Sequence, residues 1–322
     1  MKDISLVKLL PIEPKVPFIS LRMIAAVLSI LALIASVFLF STRGLNYGID
    51  FTGGTVVEID TGAAPPLDDI RNGLNGLGVG NIQLQTIAPE QGIGVTHEYV
   101  RISIPLQEEG ESGATAQQEA LKTVNEKLEE IVPGFTVRGQ DVVGSKVSGE
   151  LRQKGLLAIL IALGMVLFYI WFRFEWQFAV GAVIALFHDV LLTIGVFSLT
   201  QLEFNLSIIA AILTIVGYSL NDTVIVYDRI RENLRKYKKM ELPALLNLSI
   251  NDTLSRTIMT SLTTLLALTA LYILGGSGLR GFSFAMIWGV FVGTYSSIFV
   301  ASPLLLLLKL KRGMNTGAAT KE

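Results

Sequence analysis

Six long apolar stretches decide what this chain can fold into. They lie at 21–41, 155–173, 178–199, 206–227, 257–275 and 282–308. Each is close to the roughly 20 apolar residues a helix needs to cross a bilayer. Lipid offers no partner to backbone N–H and C=O groups, so stretches of this kind are helices. The first is too long for a signal-peptide core, and no small-residue cleavage site follows it, so it reads as an uncleaved span. Hydrophobic residues make up 51% of the chain and charged ones 16%, which suits a membrane protein with a soluble part.

The basic residues give the orientation. Lys2, Lys8, Lys15 and Arg22 precede the first span. Arg229, Arg231, Arg235, Lys236, Lys238, Lys239 and Arg256 crowd the segment 228–256, and Lys309, Lys311 and Arg312 follow the last span. With six spans these three segments share one side, expected to be cytoplasmic. Trp171, Trp176 and Phe178 are placed as an interfacial belt. The expected division is a cytoplasmic segment 1–20, a span 21–41, an external domain 42–153, five spans over 154–308 with a cytoplasmic loop 228–256, and a cytoplasmic tail 309–322.

The external domain reads as alternating elements. Thr55–Asp60 and Tyr99–Pro105 alternate apolar and polar residues, as does 81–87. Leu67, Ile70, Leu74 and Leu77 keep helical spacing, as do Leu121, Val124, Leu128 and Ile131. Phe135–Val143 is a last strand. The order β-α-β-β-α-β predicts an α+β ferredoxin-like core.

Several chemistries find no support. The chain has no cysteine, which removes disulfides and thiolate sites. Its two histidines, His97 and His188, make no metal site, and no cofactor is expected. "GQDVVGSK" (139–146) fails as a phosphate loop, because Ser145 separates Gly144 from Lys146 and Val147 replaces the required hydroxyl. No nucleophile–base pair can be placed, so an enzyme is not expected. A net charge of −1 gives no reason to expect nucleic acid.

The polar residues inside the spans carry the most information. Asn221 and Asp222 sit in "VGYSLNDTVIVYDRI" (216–230), near the expected cytoplasmic end of the fourth span. A charge in the bilayer core costs about 2.5–3.5 kcal/mol on insertion scales, so it faces other helices or water. Thr214, Gly217, Tyr218, Asn221 and Asp222 form one stripe, and Arg256, Thr260, Thr263 and Thr264 form a second on the next span. An Asp222–Arg256 charge pair is the expectation. It serves either as interhelical glue or as part of a proton path. His188 and Asp189, near the middle of the third span, are either packing anchors or a secondary proton relay.

Three stretches carry a family resemblance: "NYGIDFTGGTVVEI" (46–59), "GYSLNDTVIVYDRIREN" (217–233) and "SRTIMTSLTTLLAL" (255–268). With them the chain resembles the SecD/SecF family of protein-export membrane proteins, within the resistance-nodulation-division superfamily. The resemblance covers nearly the whole length. It implies a bacterial inner-membrane subunit with cytoplasmic termini and a periplasmic 42–153 domain. It implies SecD as partner, association with the SecYEG translocon and YajC, and a translocating preprotein as substrate. It also implies use of the proton-motive force. In SecD-like halves the position matching Asn221 is an aspartate, so the resemblance places the main proton carrier there, with Asp222 and Arg256 as charge partners.

Two other classes stand beside this one. A small-molecule efflux half-transporter of the same superfamily is disfavoured by a single external domain of modest size. A non-transporting scaffold would need no buried carboxylate. "GIDFTGG" (48–54) joins the first span to the first strand. Gly48, Gly53 and Gly54 permit close approach and positive φ, with Asp50 between them. The segment is either a shaped linker or a hinge that transmits membrane motion.

Overall fold

The computed structural model describes residues 15–61, 66–80, 82–92, 95–107, 113–308 and 310. The terminal basic residues Lys2, Lys8, Lys309, Lys311 and Arg312 used for orientation lie outside the described residues. Among the described residues, six helical segments are long and apolar enough to cross a membrane: Phe18–Arg43, Ser145–Arg173, Trp176–Thr200, Leu206–Lys236, Leu242–Leu274 and Gly278–Leu307. The protein is a multi-pass α-helical membrane protein with a small antiparallel sheet.

Helix α1 (Arg22–Arg43) leads into a single turn α2 (Ile49–Thr52) and strand β1 (Gly54–Asp60). Then come α3 (Leu67–Asn75), β2 (Gln83–Gly92), β3 (Val95–Pro105), α4 (Gly113–Ile131) and β4 (Thr136–Val143). The sheet order is β2-β3-β1-β4 and every pairing is antiparallel. Both the element order and the sheet order agree with the ferredoxin-like plan. Period-two alternation sends Val57, Ile59, Val100, Ile102 and Ile104 to one sheet face, where they are buried with Ile70, Leu74, Val124 and Leu128 of the two helices. The opposite face carries Glu58 and Arg101, which are direct partners across the β1–β3 ladder.

Five long helices follow. Helices α6 (Trp176–Thr200), α7 (Leu206–Lys236) and α9 (Gly276–Ser296) form the bundle centre, while α1, α5 (Ser145–Arg173) and α8 (Leu242–Leu274) leave most of their surface outside it. Small residues set the closest approach. A side chain at Gly289 would collide with Ile215, and Gly293 packs directly on Ser219. The Gly289-to-Gly293 spacing is thus the contact line between α9 and α7. Beyond α9, a π-helical turn (Ser297–Ala301) precedes α10 (Ser302–Leu307). Its Ala301 carbonyl accepts the Tyr227 hydroxyl at 3.1 Å.

Two expectations need correction. The segment 228–256 is not a loop, since α7 runs on to Lys236 and α8 starts at Leu242. Its charges misled the reading: Tyr227, Ile230 and Asn233 are buried with Leu245, Leu246, Ser249 and Ile250, so both helices continue as a packed pair. Phe178 is not part of an interfacial belt. It is buried 5.0 Å from the Tyr227 ring, edge to face, whereas Trp171 and Trp176 are exposed.

Candidate functional site

Asn221 and Asp222 are adjacent, and a helix turns about 100° per residue. They therefore face different surroundings. Asp222 is buried and Asn221 is exposed. The Asp222 Oδ2 atom has no hydrogen-bond partner among the described residues. Thr294 of α9 and the Arg256 charge are the polar groups that act on Asp222. The Thr294 hydroxyl bonds Ser261 at 2.7 Å, and the Tyr218 hydroxyl reaches Ser261 at 3.4 Å. Asp222 thus lies beside a row of hydroxyls that links α7, α8 and α9.

The expected Asp222–Arg256 pair is not a direct contact. Among the described residues Arg256 forms no ion pair with Asp222, and its side chain is exposed. Arg256 instead lines an open cavity of about 930 Å³ with Arg173, Asp228, Arg229, Arg231, Glu232, Arg235 and Asp252. Arg229 bonds Asp252 and Glu232, each at 2.8 Å, and Arg173 reaches Asp228 at 3.2 Å. These charged side chains extend beyond the apolar part of the spans, where solvation is available, and this separates Arg256 from a carboxylate packed into the bundle.

A second carboxylate is more fully partnered. Asp189 is buried at the bundle centre. Its Oδ2 accepts the Ser219 hydroxyl at 2.5 Å and the Ser296 hydroxyl at 2.8 Å, while Oδ1 lies 2.9 Å from His188 Nδ1. These contacts tie α6 to α7 and α9. His188 Nε2 has no partner among the described residues, and its ring stacks on Tyr295, whose hydroxyl meets Ser29 of α1 at 2.9 Å. Thr223 and Ser297 extend the polar seam toward the π-helical turn. The spacing of Ser219, Ser296 and Ser297 had no meaning in the sequence until α7 and α9 were brought together.

The 48–54 segment sits at the opposite end of the bundle from the Arg256 cavity. The Asn46 carbonyl accepts from the Phe204 N–H at 2.7 Å, and the Gly48 N–H donates to the Phe204 carbonyl at 2.9 Å. Asp50 Oδ2 accepts the Leu206 N–H at 2.9 Å, which caps the first turn of α7. Gly53 and Gly54 have φ of +72° and +126°, and a side chain at Gly54 would strike the Ile104 carbonyl. Glycine is thus required where α2 meets the sheet. Arg101 spans the gap beside it. Its guanidinium holds Glu58 at 2.6 Å and Glu203, in the α6–α7 turn, at 2.8 Å. Burial by itself would lower the Arg101 pKa, but the Glu203 and Glu58 carboxylates outweigh it and hold the group above its ordinary value. Sequence reading missed Arg101 and Glu203. The available signal was a lone acid in the short turn between two apolar spans, "TQLEF".

These features define a class first: a multi-pass membrane protein with ionisable groups buried between its helices and a folded domain clamped to one end. The comparisons narrow it. The family model for "Protein export membrane protein SecD/SecF, C-terminal" matches residues 123–311, and the "SecD/SecF GG Motif" model matches 38–64. The protein translocase subunit SecF of Rhodobacter capsulatus is 47% identical over 287 residues, covering 88% of this chain and 86% of that protein. The SecF subunit of Cereibacter sphaeroides is 44% identical, with coverage of 95% and 93%. Among solved structures, SecDF of Thermus thermophilus, described as a translocon-associated membrane protein, superposes with a TM-score of 0.80 at 36% identity. SecDF in a super-membrane-facing form gives 0.66. This chain covers 40% of the length of the SecDF chain in each case. The chain belongs to the SecD/SecF family of protein-export membrane proteins, and its role is that of a Sec-associated translocation subunit.

Proposed function

We propose that the chain is the SecF-side half of a SecD-paired complex that uses the proton-motive force to assist preprotein movement through SecYEG, with YajC as an accessory partner. The complex sits in the bacterial inner membrane, termini cytoplasmic and residues 42–153 periplasmic. The observation that carries this reading is the exposed polar face inside two spans. Thr214, Gly217 and Asn221 on α7 are exposed, as are Thr260 and Thr263 on α8. The threonines satisfy their own hydroxyls on backbone carbonyls, but the Asn221 amide has no partner among the described residues. Polar groups at this depth are disfavoured against lipid and suit a facing helix. A second six-span half covers the face, and Asp222 lies one residue behind it.

In this reading a proton held by the partner half alters the field at Asp222. Arg256 sets the balance from the charged cavity, and Asp189 with His188 forms a secondary relay. An electrical potential of about 100 mV supplies about 2.3 kcal/mol per proton. That is enough to shift a two-state equilibrium by about fiftyfold.

The test is export into inverted membrane vesicles, with and without an imposed proton gradient, at matched complex levels. Asp222→Asn keeps the size and removes the charge. It is expected to assemble with SecD and to lose gradient stimulation. Full stimulation in Asp222→Asn would make Asp222 a packing residue.

A further inference from the structure

Two clefts separate the sheet face from the helices. One, of about 600 Å³, is lined by Asn46, Tyr47, Gln83, Ser103, Gln201 and Glu203. The other, of about 240 Å³, is lined by Gln85, Arg101, Glu203, Asn205, Tyr272 and Arg280. The α2 anchor, with Asp50 on the α7 terminus, borders the first cleft. The Arg101–Glu203 bridge stands between the two clefts and lines the smaller one with both its partners.

We infer that Arg101 and Glu203 form a latch that locks the external domain to the α6–α7 turn, so that displacement of α7 carries the domain with it. Four features support this assignment. Arg101 is fixed from the domain side, because Nε and Nη2 both hold Glu58 Oε1, at 3.0 and 2.6 Å. That leaves Nη1 for Glu203 in a set direction. Glu203 is fixed from the bundle side, because it lies in the five-residue connection 201–205 between two packed helices. Gly48 lets the Glu203 carboxylate lie close to the strap, since a Cβ there would crowd its Oε1 and push the side chain from this position. Finally, the same turn meets the domain strap a second time through Phe204, which pairs with Asn46 and Gly48. The turn at the head of α7 is therefore held from both sides. With the bridge removed, the clefts give the domain room to rock about α2.

In this assignment Arg101 and Glu203 act as positioning residues. The functional half of the inference rests on the proton-coupling reading above. The geometric half does not, and the experiment separates them. The chain has no cysteine, so spin labels at Lys122→Cys on α4 and Leu274→Cys at the end of α8 report the domain-to-bundle distance. The measurement uses the complete chain with a cysteine-free SecD half in lipid nanodiscs. The parent protein is expected to give one narrow distance distribution. Glu203→Gln should broaden it to about twice the width, while Glu203→Asp stays nearer the parent. Because Arg101 keeps Glu58, the domain's own melting transition should not move. An unchanged distribution in Glu203→Gln overturns the latch.

The export assay then reads the functional half. Glu203→Gln should export normally without a gradient and lose the gradient-dependent increment. A broadened distribution with full stimulation overturns the coupling role. If the parent itself shows no gradient stimulation, the proton reading fails while the distance result still judges the latch.

Discussion

The Ser219 hydroxyl donates to Asp189 Oδ2 at 2.5 Å and so joins α7 to α6 at the centre of the bundle. Ser296 of α9 donates to the same oxygen. Three helices therefore converge on one buried carboxylate. The first prediction tests what that convergence is worth. Asp189→Leu removes the carboxylate that Ser219, Ser296 and His188 bond, and Ser296 keeps the Gly293 carbonyl, whereas Asp189→Asn keeps a carbonyl oxygen in place. Interhelical hydrogen bonds in membranes average about 0.6 kcal/mol with a maximum near 1.7. Asp189→Leu should therefore destabilise by about 2 kcal/mol, and Asp189→Asn by less than about 1 kcal/mol. Reversible unfolding in mixed micelles measures both. Equal stability of the two variants would show that the seam contributes no net hydrogen-bond energy.

A second prediction concerns the α7–α9 contact line. Gly289 abuts Ile215 so closely that a Cβ would collide with it, whereas Gly217 has nothing within 4 Å. Gly289→Leu should lower stability by about 1–3 kcal/mol, the usual cost of overpacking. Gly217→Ala should leave the isolated chain unchanged. The two substitutions add bulk to α9 and α7 at similar depth, so the contrast reports packing and not lipid solubility.

The domain core offers a third. Val57, Ile59, Ile70, Leu74, Val100, Ile102, Ile104, Val124 and Leu128 bury one another without help from the bundle. A soluble fragment of residues 46–148 should show mixed α/β circular dichroism and a cooperative melt. Ile102→Ala should cost about 2–5 kcal/mol in that fragment. A fragment without a cooperative transition would show that the bundle is needed to complete the core.

The contrast between legible and hidden features follows from range. The six spans were legible because hydropathy is local, and the domain order was legible because the periods of Val57–Ile59 and Ile70–Leu74 are local too. The helical nature of 228–256 was hidden, because its charged residues satisfy the criteria for a loop until Ile230 and Ile250 are seen packed together. Phe178 looked like a belt residue because it flanks Trp176, yet its partner Tyr227 lies far along the chain. In the site, the stripe containing Asn221 and Asp222 was legible. Its split was not, since Asp222 is buried only where α7 packs on its neighbours, among them α9 with Thr294. The Arg101–Glu203 bridge spans 102 positions, and neither residue announces the other.

Sidedness gives a fourth prediction. Lys122 is exposed on α4, and Lys239 is exposed in the turn between α7 and α8. With no native cysteine, single replacements at each report cleanly. Lys122→Cys should react with an impermeant maleimide in intact cells freed of their outer membrane. Lys239→Cys should react only after permeabilisation. The reverse pattern would invert the proposed orientation.

The last prediction addresses the exposed polar face. Asn221 on α7 and Thr260 on α8 are exposed at membrane depth, and neither packs inside this chain. The Thr260 hydroxyl bonds the Arg256 carbonyl of its own helix, at 3.1 Å, so it is satisfied even before a partner arrives. The Asn221 amide is not. A lone chain in lipid should therefore tolerate Asn221→Leu, and even favour it, because leucine is the better lipid-facing residue. The pair with SecD should not tolerate it, since the substitution removes an interhelical donor and acceptor and adds an unmatched side chain at the contact. We expect Asn221→Leu to melt at or above the parent temperature as an isolated chain. Its recovery with tagged SecD from mild detergent should fall several-fold, by about 1 kcal/mol of association free energy. Asn221→Gln, which keeps the amide, should recover more of the pairing than Asn221→Leu. If Asn221→Leu pairs as well as the parent, the face on α7 and α8 is not where the second half sits.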